Sequence, residues 1–171
     1  MAKKRKLLSQ FAVPLMALAI LAHPAAAEES KADRGDEPTF LKRYTSGVQD
    51  LIIKGLEFVG VRYRYGGNNP EEGLDCSGFV RYVFRESLGT VLPRTARSMS
   101  EIGTQVDPRD LKPGDLVFFN TMRRTFSHVG IYVGNNQFLH APKPGAEVRV
   151  EDMRQSYWLT RFDGARRILE R

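Results

Sequence analysis

The sequence predicts an α+β domain in which helices cover one face of an antiparallel sheet, and three observations carry that expectation. Apolar residues recur at helical spacing in the middle of the chain, around Val48–Val59 and Phe79–Phe84. Short apolar runs of strand length, bounded by turn residues, fill the part that follows. Two of those runs, His128–Val133 and Phe138–Ala141, are joined by Gly134-Asn135-Asn136-Gln137, the signature of a hairpin. Helices early and strands late describe an α+β chain rather than an alternating α/β one.

Residues 1–27 are expected to be a secretory signal peptide. Lys3-Lys4-Arg5-Lys6 precedes an apolar stretch from Leu7 to Ala22 interrupted by Pro14, and Ala25-Ala26-Ala27 offers a small-residue cleavage site before Glu28. The apolar stretch is shorter than the ~20 residues a membrane span needs, so the remainder is read as exported, periplasmic or secreted, with no transmembrane span. Of the 26 Lys and Arg, four lie in this segment, which holds no acidic residue; that leaves 22 against 20 Asp and Glu, a net +2. A nucleic-acid partner, suggested by the basic balance of the whole chain, therefore loses its support, and no basic and aromatic stripe replaces it.

Residues 28–45, charged and holding Gly35 and Pro38, read as a polar linker. Residues 46–171 are long enough for one domain with one substantial core, and they contain no internal repeat. Ser46-Gly47-Val48-Gln49 has the form of a capping box, so a first helix is expected from Ser46 to Gly60. Val61–Tyr65 alternates like a short strand, and Gly66-Gly67-Asn68-Asn69-Pro70 forms a turn cluster whose glycines permit close backbone approach. Phe79, Val80, Val83 and Phe84 mark one face of a second helix, with Asp75 as its N-cap and Gly89 as its stop.

A short helix after Pro93 reaches Met99 and Ile102. Leu116–Phe119 is a continuous apolar strand, and Glu147–Val150 and Gly164–Leu169 complete the sheet. Tyr157 and Trp158, the only tryptophan, read as cover for the core. Cys76 on the helix and His128 on the sheet are then expected to meet where the two layers touch.

Cys76 is the only cysteine, so an exported protein keeps a free thiol that needs a reason: intermolecular pairing, inert burial or chemistry. At a helix N-terminus the thiol faces unpaired N–H groups and the positive end of the dipole, and both favour the thiolate. Nucleophilic catalysis needs a base and a third group that orients the base, and with His23 inside the signal segment only His128 and His140 remain. Tyr63 or Tyr65 could bring a hydroxyl near Cys76. One cysteine and two histidines also suffice for three ligands of a zinc centre, but no paired spacing such as C-x-x-C or H-x-x-x-H is present.

Four segments in order, Asp75-Cys76-Ser77-Gly78-Phe79, Gly114-Asp115-Leu116-Val117-Phe118-Phe119, His128-Val129-Gly130-Ile131-Tyr132-Val133-Gly134 and Phe138-Leu139-His140-Ala141, resemble the successive signatures of the NlpC-type cysteine peptidases of bacterial cell walls. Val61–Gly67, Leu92-Pro93-Arg94 and Ala165–Leu169 make the chain most similar to the murein endopeptidases that cleave crosslinks. The resemblance spans about Ser46 to Arg171. It implies a reduced papain-like α+β domain that needs no metal or cofactor and takes peptidoglycan peptides as substrate.

By position it makes Cys76 the nucleophile, His128 the base, His140 the orienting member, and Tyr63 an oxyanion donor beside the Cys76 N–H. Asp75 and Ser77, flanking the nucleophile, are candidate substrate contacts, with helix capping the other reading for Asp75. Two departures stand out. Relatives that are lipoproteins carry a lipid-attachment cysteine at the end of the signal, which this sequence lacks, and the loop Asn68–Gly73 is slightly longer here. The resemblance implies cleavage of D-alanyl–diaminopimelate crosslinks. A γ-D-glutamyl-diaminopimelate stem-peptide endopeptidase, an acyltransferase or amidase using the same groups, and a catalytically silent cell-wall binding domain are the alternatives.

Overall fold

The computed structural model describes residues 37–121 and 123–169. The expected signal peptide and the first half of the expected linker, residues 28–36, lie outside them. The elements run α1 (Glu37–Leu56), β1 (Asn68–Asn69), β2 (Gly73–Leu74), α2 (Cys76–Leu88), α3 (Ala96–Met99), β3 (Thr104–Val106), a 3-10 turn (Pro108–Asp110), β4 (Leu116–Phe119), β5 (His128–Gly134), β6 (Gln137–His140), β7 (Arg149–Asp152), α4 (Ser156–Leu159) and β8 (Phe162–Arg167). β3 to β8 form one antiparallel sheet in the order β3-β8-β4-β5-β6-β7.

α1 starts at Glu37, nine residues before the expected cap at Ser46. Ser46 lies inside it, and its hydroxyl donates to the Arg43 carbonyl instead of capping a terminus. The part of the linker within the described residues is thus helical.

α2 is the element the sequence specifies most completely. Asp75 caps it, its carboxylate accepting the Gly78 N–H at 2.6 Å. Gly89 closes it at φ +66°, with its N–H donating to the Arg85 carbonyl at 3.0 Å. Phe79, Val80, Val83 and Phe84 are fully buried and, with Leu51 of α1, pack on Phe118, Val129, Ile131 and Leu139 of the sheet.

Every residue of β4 is buried, which explains its unbroken apolar run: Leu116 and Phe118 face the helices, while Val117 and Phe119 point to the other side. That second face is also covered, contrary to the one-sided layering expected. Trp158 of α4 packs there with Val117, Phe119, Tyr132, Phe138 and Ala165. A four-residue helix is too short to announce itself by periodicity, and its burial is carried by one tryptophan.

Other boundaries moved for similar reasons. β3 has no sequence signal, being three residues at the sheet edge, two of them exposed. Val61–Tyr65 is extended but makes only isolated bridges, Arg62 to Glu147 and Tyr63 to Leu74. The strand expected at Glu147–Val150 begins at Arg149 and includes Glu151, and the last one runs Phe162–Arg167.

Asp115, in the turn before β4, is nearly inaccessible and forks with Arg167 of β8, accepting from Nε and Nη2 at 2.7 Å each. Asp115→Ala leaves that largely buried guanidinium without its carboxylate. The expected loss is about 3–5 kcal/mol, read as a lowered urea midpoint at unchanged slope.

Candidate active site

Cys76 is the first residue of α2, and its neighbours fix that turn. The Asp75 carboxylate accepts from the Gly78 N–H, from the Ser77 hydroxyl at 3.2 Å, from the Gly66 N–H at 3.1 Å, and from Arg94 through Nη1 at 3.1 Å and Nη2 at 2.7 Å. Arg94 Nη1 also reaches the Ser77 hydroxyl at 2.9 Å. Asp75 and Ser77 are therefore bound to each other, to the helix and to Arg94. These partners favour capping over substrate contact for Asp75, since its acceptor capacity is already taken.

The Asp75 carboxylate takes up the Gly78 N–H and the Asp75 carbonyl takes up the Phe79 N–H, at 2.8 Å. The N–H groups of Cys76 and Ser77 then head the helix beside the thiol. Cys76 is half-buried. Desolvation dominates its ionisation and, with the neighbouring Asp75 charge, pushes the thiol up to about 11, against hydrogen bonding from the backbone of Val129, Ser77 and Cys76. The backbone N–H groups at the helix start pull the other way, as expected of a helix N-terminus, but burial outweighs them.

His128 opens β5 and His140 ends β6. In the hairpin register Ile131 faces Leu139 and Tyr132 faces Phe138, which sets Gly130 opposite His140 and makes the two histidines diagonal neighbours on the face covered by α4. Gly130 is what lets them meet: a Cβ there would lie 2.6 Å from the Phe138 ring and 3.2 Å from the His140 Cβ. His128 Nε2 is 2.8 Å from His140 Nδ1, with the rings at 87°. The Trp158 ring stacks over His128 at 5.6 Å and 25° and meets His140 edge-on at 5.0 Å.

Both imidazoles are buried, and burial holds both below the ordinary imidazole range. For His128 the His140 ring adds to that effect, and for both histidines Glu151 opposes it.

Two clefts meet at Cys76, Tyr63 and Ser127. One, of about 570 Å³, passes His128, Glu151, Tyr157 and Trp158; the other, of about 600 Å³, passes Asp75, Arg94, Arg97 and Arg124. Tyr63 borders both. Its N–H donates to the Ala146 carbonyl at 2.8 Å, and burial pushes its phenol up to about 12, with Cys76 and Asp75 adding to the effect, so the hydroxyl keeps its proton. Tyr65, the other tyrosine considered, is 82% exposed at the rim.

The structure thus brings together Cys76, His128, His140 and Tyr63. It adds two residues the sequence reading did not place at the site. Trp158 was expected only as core cover. Glu151 fell outside the expected strand, and the alternation of β7 places it on the same face as Arg149 once the strand is shifted by two residues. Among the described residues, no cluster of three or more His, Cys, Asp or Glu is placed to hold a metal ion.

Comparison with known proteins gives matches over the same region. Residues 60–167 match the model of the NlpC/P60 family. The chain is 35% identical over 176 residues to the murein DD-endopeptidase MepS/murein LD-carboxypeptidase of Escherichia coli strain K12, covering 93% of this chain and 92% of that protein. It is 42% identical over 118 residues to the gamma-DL-glutamyl hydrolase of Bacillus subtilis strain 168, covering 68% of this chain and 28% of that protein.

Among solved structures, an NlpC/P60 family protein from Bacillus cereus superposes with a TM-score of 0.68 at 31% identity, over 72% of this chain and 40% of that one. The chain spans less than half the length of the two Bacillus proteins and nearly the whole of the Escherichia coli one. With a six-stranded antiparallel sheet, a cysteine helix against it and these matches over most of the domain, the chain belongs to the NlpC/P60 family and has its reduced papain-like α+β fold.

Proposed function

We propose that this protein is a peptidoglycan endopeptidase that hydrolyses amide bonds of murein peptides, with D-alanyl–diaminopimelate crosslinks as the main target. The observation that carries the reading is the arrangement around one cleft: Cys76 at a helix N-terminus and His128 line it together, and His128 Nε2 is engaged by His140 Nδ1 at 2.8 Å. A nucleophile, a base and a group that orients the base are what covalent amide hydrolysis requires.

In the mechanism, His128 presents Nδ1 to the thiol because Nε2 is taken by His140. Burial favours an uncharged thiol and an uncharged imidazole at rest, so the Cys76 proton passes to His128 as Sγ attacks the carbonyl carbon. His128 then gives that proton to the leaving amine. Water, deprotonated by the same imidazole, attacks the thioester, releases the acid and restores the thiol. The negative oxygen formed in each addition lies between the Cys76 N–H and the Tyr63 hydroxyl, and Asp75 and Ser77 hold the turn that aims them.

Tyr63→Phe removes one of those donors and nothing from the packing. Its kcat is expected to fall roughly 100-fold with the melting temperature unchanged. An unchanged kcat would take Tyr63 out of the oxyanion site.

A second reading has its own support in the gamma-DL-glutamyl hydrolase relative: cleavage of the γ-D-glutamyl bond within the stem peptide. Export to the periplasm or medium is part of the proposal, supported by the basic, apolar and small-residue order of residues 1–27. Among the described residues no helix is long and apolar enough to cross a membrane.

The test is to incubate purified protein with intact peptidoglycan and identify the released muropeptides by mass spectrometry. Conversion of crosslinked dimers to monomers is the expected result. Shortened stem peptides would move the cut to the γ-D-glutamyl bond, and unchanged muropeptides would leave a cell-wall binding domain.

A further inference from the structure

We infer that Glu151 is a positioning residue of the catalytic array, fixing the proton of His140 on Nε2 and so keeping a lone pair on the His128 nitrogen that faces Cys76. The inference rests on the endopeptidase reading for its effect on rate, but not for its effect on the histidines.

A histidine in the orienting place is chemically ambivalent. An amide carbonyl or a carboxylate there can only accept, whereas a neutral imidazole can accept or donate at Nδ1 depending on its tautomer. If His140 carries its proton on Nδ1, it donates to His128 Nε2 across their 2.8 Å contact and forces the His128 proton onto Nδ1. That tautomer cannot take a proton from the thiol. If His140 carries its proton on Nε2, its Nδ1 accepts from His128 Nε2, and the His128 Nδ1 lone pair is free to act as base. Catalysis therefore needs something beyond His140 that selects its tautomer.

Glu151 is placed to do so. His140 is fully buried, and its Nε2 has no hydrogen-bond partner. A buried N–H left unpaired is costly, and the carboxylate of Glu151 lies 3.7 Å away through Oε2. Glu151 is itself held facing that way: Arg149 binds Oε1, and the Trp158 indole N–H donates to Oε2. A proton on His140 Nε2 would face the same carboxylate across that 3.7 Å gap, which a small side-chain movement closes to make it the third donor.

His140 faces His128 of β5 and Glu151 of β7, with Arg149 beyond. Glu151 faces Arg149 on its own strand, His140 of β6 and Trp158 of α4. The carboxylate stays ionised, held down to about 2 by His140 first and then by Arg149 and Trp158 against its partial burial. An ionised Glu151 also steadies the imidazolium that forms on His128 during attack, two rings away.

Glu151→Gln is the informative change, because a glutamine has one acceptor oxygen and one NH2 to offer three donors and cannot satisfy all of them. The experiment uses the full chain with 15N-labelled histidine in a His23→Ala background, so that only His128 and His140 are seen. Long-range 1H–15N correlation spectra report the protonated nitrogen of each ring, and turnover on crosslinked muropeptides is measured in parallel. Both rings are expected to carry the proton on Nε2 in the parent. In Glu151→Gln, Nδ1–H should appear at His140 and kcat should drop about tenfold or more at unchanged KM.

A parent His140 protonated on Nδ1 overturns the inference, and it does so even if the variant fails to fold. Unchanged tautomers and unchanged kcat in a folded Glu151→Gln overturn it as well. The expected tautomer change in a protein that cleaves no muropeptide supports the hold of Glu151 on His140 and removes the endopeptidase reading instead.

Discussion

Cys76→Ala is expected to lose turnover by on the order of 10⁵- to 10⁶-fold, the size of effect produced when a covalent nucleophile is deleted and only binding and oxyanion contacts remain. The same change should leave stability within roughly 1 kcal/mol. The thiol is half-buried at the start of α2, and the turn it occupies is held by bonds among Asp75, Ser77, Gly78 and Arg94 that do not need the sulfur. Alanine suits a helix, and the clefts on either side can absorb the lost volume. Muropeptide release and thermal unfolding, measured on one preparation, separate the alternatives. Retained turnover would point to another nucleophile, and an unfolded variant would make the cysteine a packing residue.

Gly78→Ala is expected to cost both stability and activity. A Cβ at this position would stand 2.0 Å from the Gly67 carbonyl oxygen and 3.0 Å from Asp75 Oδ1. The first of these is backbone, and it cannot retreat freely, since it accepts the Asp75 N–H at 3.1 Å. Making room means separating α2 from the turn that follows Tyr63. The expected cost is about 3 kcal/mol or more, at the upper end for overpacking, with a fall in melting temperature of roughly 10 °C. Activity should fall beyond what the unfolded fraction explains, because the same movement draws Cys76 away from Tyr63. A melting temperature equal to the parent's would show that the turn gives way more easily than its hydrogen bonds indicate.

The residues with chemistry were legible because their signals are local. The α2 helix is written in four apolar residues, an N-capping aspartate and a terminal glycine, all within fifteen positions of one another. The β5–β6 hairpin is written in two apolar runs and an Asn-Asn turn, whose residues take φ +53° and +59° as such a turn requires. The same locality misled at Ser46, where a capping pattern lies within a helix already begun at Glu37, and at Val61–Tyr65, where alternation produced bridges rather than a strand.

The sequence by itself determined the α+β class, the cysteine helix, the hairpin with a histidine on each strand, and through its ordered motifs the family. Each of these depends on neighbours in the chain or on residue types that few other folds combine. Only the tertiary structure decided that Gly130 opens the space through which the two imidazoles touch. It also decided that α4 closes the second face with Trp158, that burial outweighs the backbone N–H groups at the thiol, and that Glu151 stands behind His140. Those features depend on register across strands and on exclusion of water. Both are set by how distant segments pack, and neither leaves a periodic trace along the chain.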